Sequence, residues 1–285
     1  MVRQAAAIAL GLSGDRRSVG ALVAGLQDPE FGVKRIAASA LARIGGPEAV
    51  SALIGVLRDS TENRSVRVLA EGGHFENHRD WHEMPFRVLV IRELQKIIDK
   101  GASDELISAI RDEDPLASGA AMYLLAGLGG DKAIETLLVE LESRDPGRSN
   151  SAAFALGYIS SPKIAEPLIR ALRRGNIGAA ISLGSLGAPS AVPALIKSLK
   201  YHPTHANENL SELPPFIRAF GLRRTDLRYF AAGALGRIGD PRAVDPLERI
   251  AQSDNGFFSR SAKRALEKIR AKQSETTSTK PCEPR

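Results

Sequence analysis

One stretch of this chain recurs with a few changes. Ala40-Leu41-Ala42-Arg43-Ile44-Gly45-Gly46-Pro47-Glu48-Ala49-Val50-Ser51-Ala52-Leu53 returns as Ala234-Leu235-Gly236-Arg237-Ile238-Gly239-Asp240-Pro241-Arg242-Ala243-Val244-Asp245-Pro246-Leu247. The leucine that ends the Ala-rich part marks eight copies: Leu10, Leu41, Leu94, Leu125, Leu156, Leu183, Leu235 and Leu266. Their spacings are 31, 53, 31, 31, 27, 52 and 31 residues. The short interval lacks about one helical turn. The two long ones hold a unit plus an insertion. Twelve residues after each of the first seven markers stands another leucine: Leu22, Leu53, Leu106, Leu137, Leu168, Leu195 and Leu247. Four residues further on come Leu26, Leu57, Ile110, Leu141, Leu172, Leu199 and Ala251, one turn along the same helix face. A period of this size means stacked repeats, because one such unit cannot bury its apolar face alone.

Each unit reads as a helical hairpin. The first helix is Ala-rich, as in residues 33–44, and a Gly-bearing turn ends it: Gly45-Gly46-Pro47, Gly129-Gly130-Asp131, Gly187-Ala188-Pro189, Gly239-Asp240-Pro241. Gly suits the left-handed C-cap and Pro opens the next helix. Acidic turns such as Asp28-Pro29-Glu30 and Asp145-Pro146-Gly147 lead to the next copy. The Val2-Arg3 and Val33-Lys34 starts, the Ala155-Leu156-Gly157 and Ala234-Leu235-Gly236 stretches, and the Gly-Asp-Pro-x-Ala-Val-x-Pro-Leu stretch from Gly239 to Leu247 together resemble the HEAT family. In detail they resemble the short HEAT-like repeats named after the phycobilisome (PBS) lyases. The resemblance covers about residues 1–60, 86–200 and 227–270. Copy three departs from it, with Lys96-Ile97-Ile98-Asp99 in place of the Gly-bearing segment.

The fold class expected is therefore all-α: an α-α superhelix, a HEAT-repeat solenoid of armadillo type. It has about seven helical hairpins plus a C-terminal helix. Residues 1–272 form the solenoid, with insertions at about 60–85 and 201–226. The last copy, residues 258–272, reads as a polar end cap, and residues 273–285 as a disordered Ser/Thr/Lys/Pro-rich tail. The first copy begins at Met1 without an N-cap or preceding helix, which leaves two expectations open: the solenoid starts abruptly, or it continues against another subunit through the N-terminal repeat edge.

Composition bears on class more than on activity. Hydrophobic residues make up 43% and aromatics only 5%, which suits close helix packing. No apolar run reaches membrane-spanning length, and no secretory leader is apparent. The single cysteine, Cys282, permits no intrachain disulfide and fits a reducing compartment, so a cytoplasmic location is expected.

All five histidines, His74, His78, His82, His202 and His205, and the only tryptophan, Trp81, lie in the two insertions. His74, His78 and His82 are spaced i, i+4, i+8. On a helix they would share a face and could hold a divalent ion, with Glu83, Asp80 or Glu76 completing the set. The plainer reading is a polar surface loop, since histidine is unwelcome in small-residue helix packing. Gly72-Gly73 and Pro85 also interrupt the helix this spacing requires. Deoxyhypusine hydroxylase, a HEAT-like repeat protein, is marked by several His-Glu pairs that bind two irons. Here His82-Glu83 alone forms such a pair, within an insertion, so a di-iron site is not implied. No phosphate-cradling Gly loop and no Ser-His-Asp or Cys-His set is present.

Charge is unevenly distributed. Residues 1–143 hold 16 Lys/Arg against 21 Asp/Glu, a net −5, and residues 144–285 hold 23 against 12, a net +11. On the second helices, positions two, five and six after the core leucine face away from the core. They are Arg170, Arg173 and Arg174 in copy five, Lys197, Lys200 and Tyr201 in copy six, and Arg249 in copy seven. In HEAT solenoids the second helices line the concave face, so the resemblance implies a basic inner surface over the C-terminal half. Such a ridge suits an acidic partner. The cations at first-helix starts, Arg3, Lys34, Arg87, Arg148, Arg228 and Arg260, read instead as inter-repeat ion pairs with the acidic turns.

The function expected is a non-enzymatic scaffold or adaptor that binds an acidic protein through this basic face and the insertions, Trp81 included, with no cofactor and no membrane contact. Two alternatives remain open. One is a subunit of a bilin lyase-like enzyme, whose tetrapyrrole would meet the ridge through its propionates and pack on Trp81, Tyr201 and Phe216. The other is a nucleic-acid-binding protein.

Overall fold

The computed structural model describes residues 1–59, 86–97, 102–200, 226–252 and 256–278. Among these residues there are α-helices and short 3-10 turns but no β-strand. The fold is an all-α solenoid of helical hairpins. It divides into two compact units, residues 1–136 and residues 137–278 of the described chain.

The first unit contains α1 (Val2–Ser13), α2 (Val19–Gly25), α3 (Phe31–Ile44), α4 (Pro47–Arg58), α5 (Phe86–Ile97), α6 (Ser103–Ile110) and α7 (Pro115–Leu128). The first helices α1, α3, α5 and α7 pack one on the next, and α2, α4 and α6 form a second row against them. The division between the units falls within α8 (Gly130–Leu141). The second unit repeats the arrangement with α9 (Pro146–Leu156), α10 (Ala165–Arg173), α11 (Ile177–Ser185), α12 (Val192–Ser198), α13 (Leu227–Ile238), α14 (Val244–Ala251) and α15 (Gly256–Ser278). Here α9, α11, α13 and α15 stack in one layer, while α10 and α12 pack together in the other and α14 lies on α15.

The leucine pattern is the core. Leu53, Leu106, Leu137, Leu168, Leu195 and Leu247 are fully enclosed, and Leu22 nearly so. Burying each contributes about 1.5–3 kcal/mol. The marker leucines from Leu41 to Leu266 are also buried, whereas Leu10 in the outermost helix is only half-buried. Gly45, with φ of 68°, closes α3 by donating its N–H to the Leu41 carbonyl at 2.9 Å, a backbone conformation that favours glycine.

Two local features differ from the sequence expectation. Several second helices open with a 3-10 turn, as at Arg16–Ser18, Pro162–Ile164 and Pro241–Ala243. In each, the preceding Asp15, Ser161 or Asp240 accepts a hydrogen bond from the backbone N–H two residues on, which tightens the first turn. The last helix also runs on to Ser278, six residues past the expected end of the solenoid. No Pro or Gly interrupts residues 273–278, and Pro281 lies beyond them.

The cations at first-helix starts are engaged within the scaffold. Arg3 Nε donates to Asp28 Oδ2 at 2.7 Å, joining copy one to copy two. Arg87 is fully buried, donates to both Asp114 oxygens at 2.7 and 3.1 Å, and also donates to the Leu57 carbonyl. Arg148 pairs with Glu140 at 3.0 Å and Arg228 with Asp226 at 2.7 Å. Lys34 lies over the Phe86 ring, and Arg228 over that of Phe258.

Candidate partner-binding surface

The second helices of the C-terminal unit are built alike. In α10, Leu168, Ile169, Ala171 and Leu172 are buried, while Arg170, Arg173 and the following Arg174 are exposed. In α12, Leu195 and Ser198 are buried, Lys197 is exposed, and so is Lys200 just beyond the helix. In α14, Leu247 is buried and Arg249 is exposed. The spacing explains this. Two residues after the core leucine is 200° around the helix, so a core leucine at one position turns the next-but-one residue to solvent.

Partnering separates most of these cations from those at the first-helix starts. Arg174 Nη1 lies 2.9 Å from Glu142 and Arg174 Nη2 donates to the Leu141 carbonyl at 3.5 Å. The side chains of Arg170, Arg173, Lys197, Lys200 and Arg249 have neither a hydrogen bond nor an ion pair among the described residues. Nearby carboxylates are few: Glu166 and Asp245 are exposed, and Glu248 is taken by Arg270 at 2.8 Å. The arrangement offers solvated positive charge at equivalent sites of three successive repeats, with little self-neutralisation. A further set of exposed cations, Lys263, Arg264 and Lys268, lies on α15.

Tyr201, Trp81, His74, His78 and His82 lie outside the described residues. Among the described residues, no group of three or more His, Cys, Asp or Glu side chains could hold a metal ion. No helix there is long and apolar enough to cross a membrane.

The family models agree with this architecture. Residues 1–71 match the family of HEAT repeats, and residues 150–174, 177–201 and 227–253 match the PBS lyase HEAT-like repeat. The chain is a HEAT-like repeat protein of the PBS lyase repeat type. No curated protein matches it. Among solved structures, human deoxyhypusine hydroxylase in complex with glycerol is 18% identical, with 90% of this chain and 96% of that one covered and a TM-score of 0.37. Two engineered proteins are 21% and 20% identical. They cover 89% of this chain, 97% and 98% of their own lengths, and give TM-scores of 0.30 and 0.31.

Proposed function

We propose that the protein is a non-enzymatic scaffold whose C-terminal unit binds an acidic protein surface through the second-helix cations. One observation carries this reading. Arg170, Arg173, Lys197, Lys200 and Arg249 are exposed and unpaired among the described residues, whereas Arg3, Arg87, Arg148 and Arg228 at first-helix starts are held by carboxylates. Solvated cations keep any surface soluble, but at equivalent positions of successive second helices they also line up on one face. A partner bearing carboxylates matches such a row, and electrostatic complementarity of this kind sets encounter rate and specificity.

The test is fluorescence anisotropy with poly-glutamate and with random duplex DNA at several salt concentrations. Poly-glutamate should bind more tightly than DNA, and binding should weaken steeply with salt. Arg170→Ala/Arg173→Ala/Lys197→Ala should reduce it about tenfold, at roughly 0.5 kcal/mol per exposed contact. Preferential binding of DNA would make nucleic acid the partner class. No loss in the triple variant would remove the ridge from the binding site.

A further inference from the structure

The exposed positions of the second helices form a register as well as a patch. Two residues after the core leucine, the side chain is exposed in every copy. In the first unit these positions hold Ala24, Gly55 and Ser108, which are small and uncharged. In the second unit they hold Val139, Arg170, Lys197 and Arg249. Val139 is 72% exposed, an apolar side chain at the head of a row of cations. Arg173 and Lys200 stand three residues after Arg170 and Lys197, close enough for two cations to grip one carboxylate.

Elsewhere the scaffold neutralises charge from one second helix to the next. Arg58 Nε lies 3.2 Å from Asp112, Lys132 Nζ 2.6 Å from Asp104, and Arg174 Nη1 2.9 Å from Glu142. Among the described residues no such pair joins α10 to α12 or α12 to α14. Yet these helices are neighbours. The α10 helix packs on α12, and Arg242, just before α14, donates to the Pro189 carbonyl, just before α12, at 3.2 Å. Like charges therefore follow one another across three adjacent helices. Solubility needs charge but not this succession, which costs mutual repulsion. An anionic ligand laid along the row removes it.

The spacing selects the ligand's conformation. Packed helices lie about 8–10 Å apart. A polyproline II segment rises about 3.1 Å per residue with three residues per turn, so every third side chain returns to one face after about 9.3 Å. A β-strand repeats its face after about 6.7 Å and falls out of step. An α-helix matches only at every seventh residue, about 10.5 Å on, and is about 10–12 Å across. It would cover the whole length of second helices that are only nine, seven and eight residues long. Its acidic side would then lie over the exposed Glu166 and Asp245, one turn before Arg170 and Arg249. A narrow segment over the cationic ends avoids them. Building on the acidic partner argued above, we propose that the contact is an acidic polyproline II segment of about ten residues. Its carboxylates stand at every third position over Arg170, Lys197 and Arg249. An apolar residue three positions before or after the carboxylate on Arg170 packs on Val139.

Fluorescence anisotropy of labelled peptides with the full chain tests this. Leu-Ser-Pro-Glu-Ser-Pro-Glu-Ser-Pro-Glu, or its reversal, should bind about tenfold more tightly than a peptide of the same composition with its Glu residues adjacent. Replacing the peptide's Leu by Ser should cost about fivefold, and so should Val139→Ser in the protein. The two changes together should cost no more than either alone, as for groups in contact. Val139 is exposed, so its variant should keep the helical circular dichroism of wild type. Equal binding of the spaced and clustered peptides would overturn the segment. It would leave the acidic partner standing if poly-glutamate were still lost in Arg170→Ala/Arg173→Ala/Lys197→Ala. Tighter binding of a helical peptide with Glu at every seventh position would also overturn the segment, and additive losses would overturn the Val139 contact. Poly-glutamate binding unchanged in the triple variant would remove the acidic partner and the segment together.

Discussion

Arg87 and Asp114 show what a single residue does in this scaffold. The guanidinium is fully enclosed, and its charge is matched by both oxygens of Asp114. Asp114 also caps α7, accepting from the Leu116 and Ala117 N–H groups at 2.8 and 3.0 Å. Burial alone would raise its carboxyl pKa, but the Arg87 hydrogen bonds and the two backbone donors outweigh that and hold it below the usual value. With the folded value depressed, the pair's stabilisation is complete above the unfolded value of about 3.9 and is lost as pH falls through the folded one. Asp114→Ala should cost about 3–5 kcal/mol by denaturant unfolding at neutral pH, because it leaves Arg87 buried without its counter-charge. The excess over wild type should shrink in acid. That an arginine at this position would pair with an acidic turn was legible in the recurrence of Arg3, Lys34 and Arg87. Its complete burial was not, because that depends on Leu57 of the preceding hairpin and the cap of the following one meeting around it.

At the level of elements, the hairpins were legible because a core leucine and its partner twelve residues on must both face inward in every copy. The 3-10 openings were not, since they follow from whether one capping side chain folds back on its own turn. Glycine placement is intermediate. Gly236 follows the marker leucine of α13, and a Cβ there would lie 2.8 Å from the Ala265 Cα of α15. Gly233, one turn earlier in the same helix, has open space around it. Gly236→Ala should therefore destabilise by about 1–3 kcal/mol, since backbone must move to admit the methyl. Gly233→Ala should stabilise by roughly 0.5–1 kcal/mol through helix propensity alone. Thermal melts of the two variants side by side separate close packing from propensity, and opposite signs are the expected result.

Across the whole molecule, the sequence divides its charge at about residue 143, with an acidic first part and a basic remainder. The division was legible by counting. Which cations are free was not, because a count gives Arg228, held by Asp226, the same weight as the exposed Arg170. This distinction yields a test of whether partner binding follows net charge or a particular surface. Arg16, Arg35 and Arg43 are exposed in the first unit, as Arg170, Arg173 and Lys197 are in the second. Changing either trio to glutamine lowers the net charge by the same amount. If long-range attraction alone governed binding, both variants would slow association equally and both effects would vanish at high salt. If the second-helix cations touch the partner, the second-unit variant should bind an acidic polypeptide about tenfold more weakly, at roughly 0.5 kcal/mol per contact. It should also dissociate faster, because lost direct contacts appear in the off-rate. The first-unit variant should change the on-rate alone. Surface plasmon resonance on the two variants measures both rates, and equal behaviour would assign the attraction to net charge.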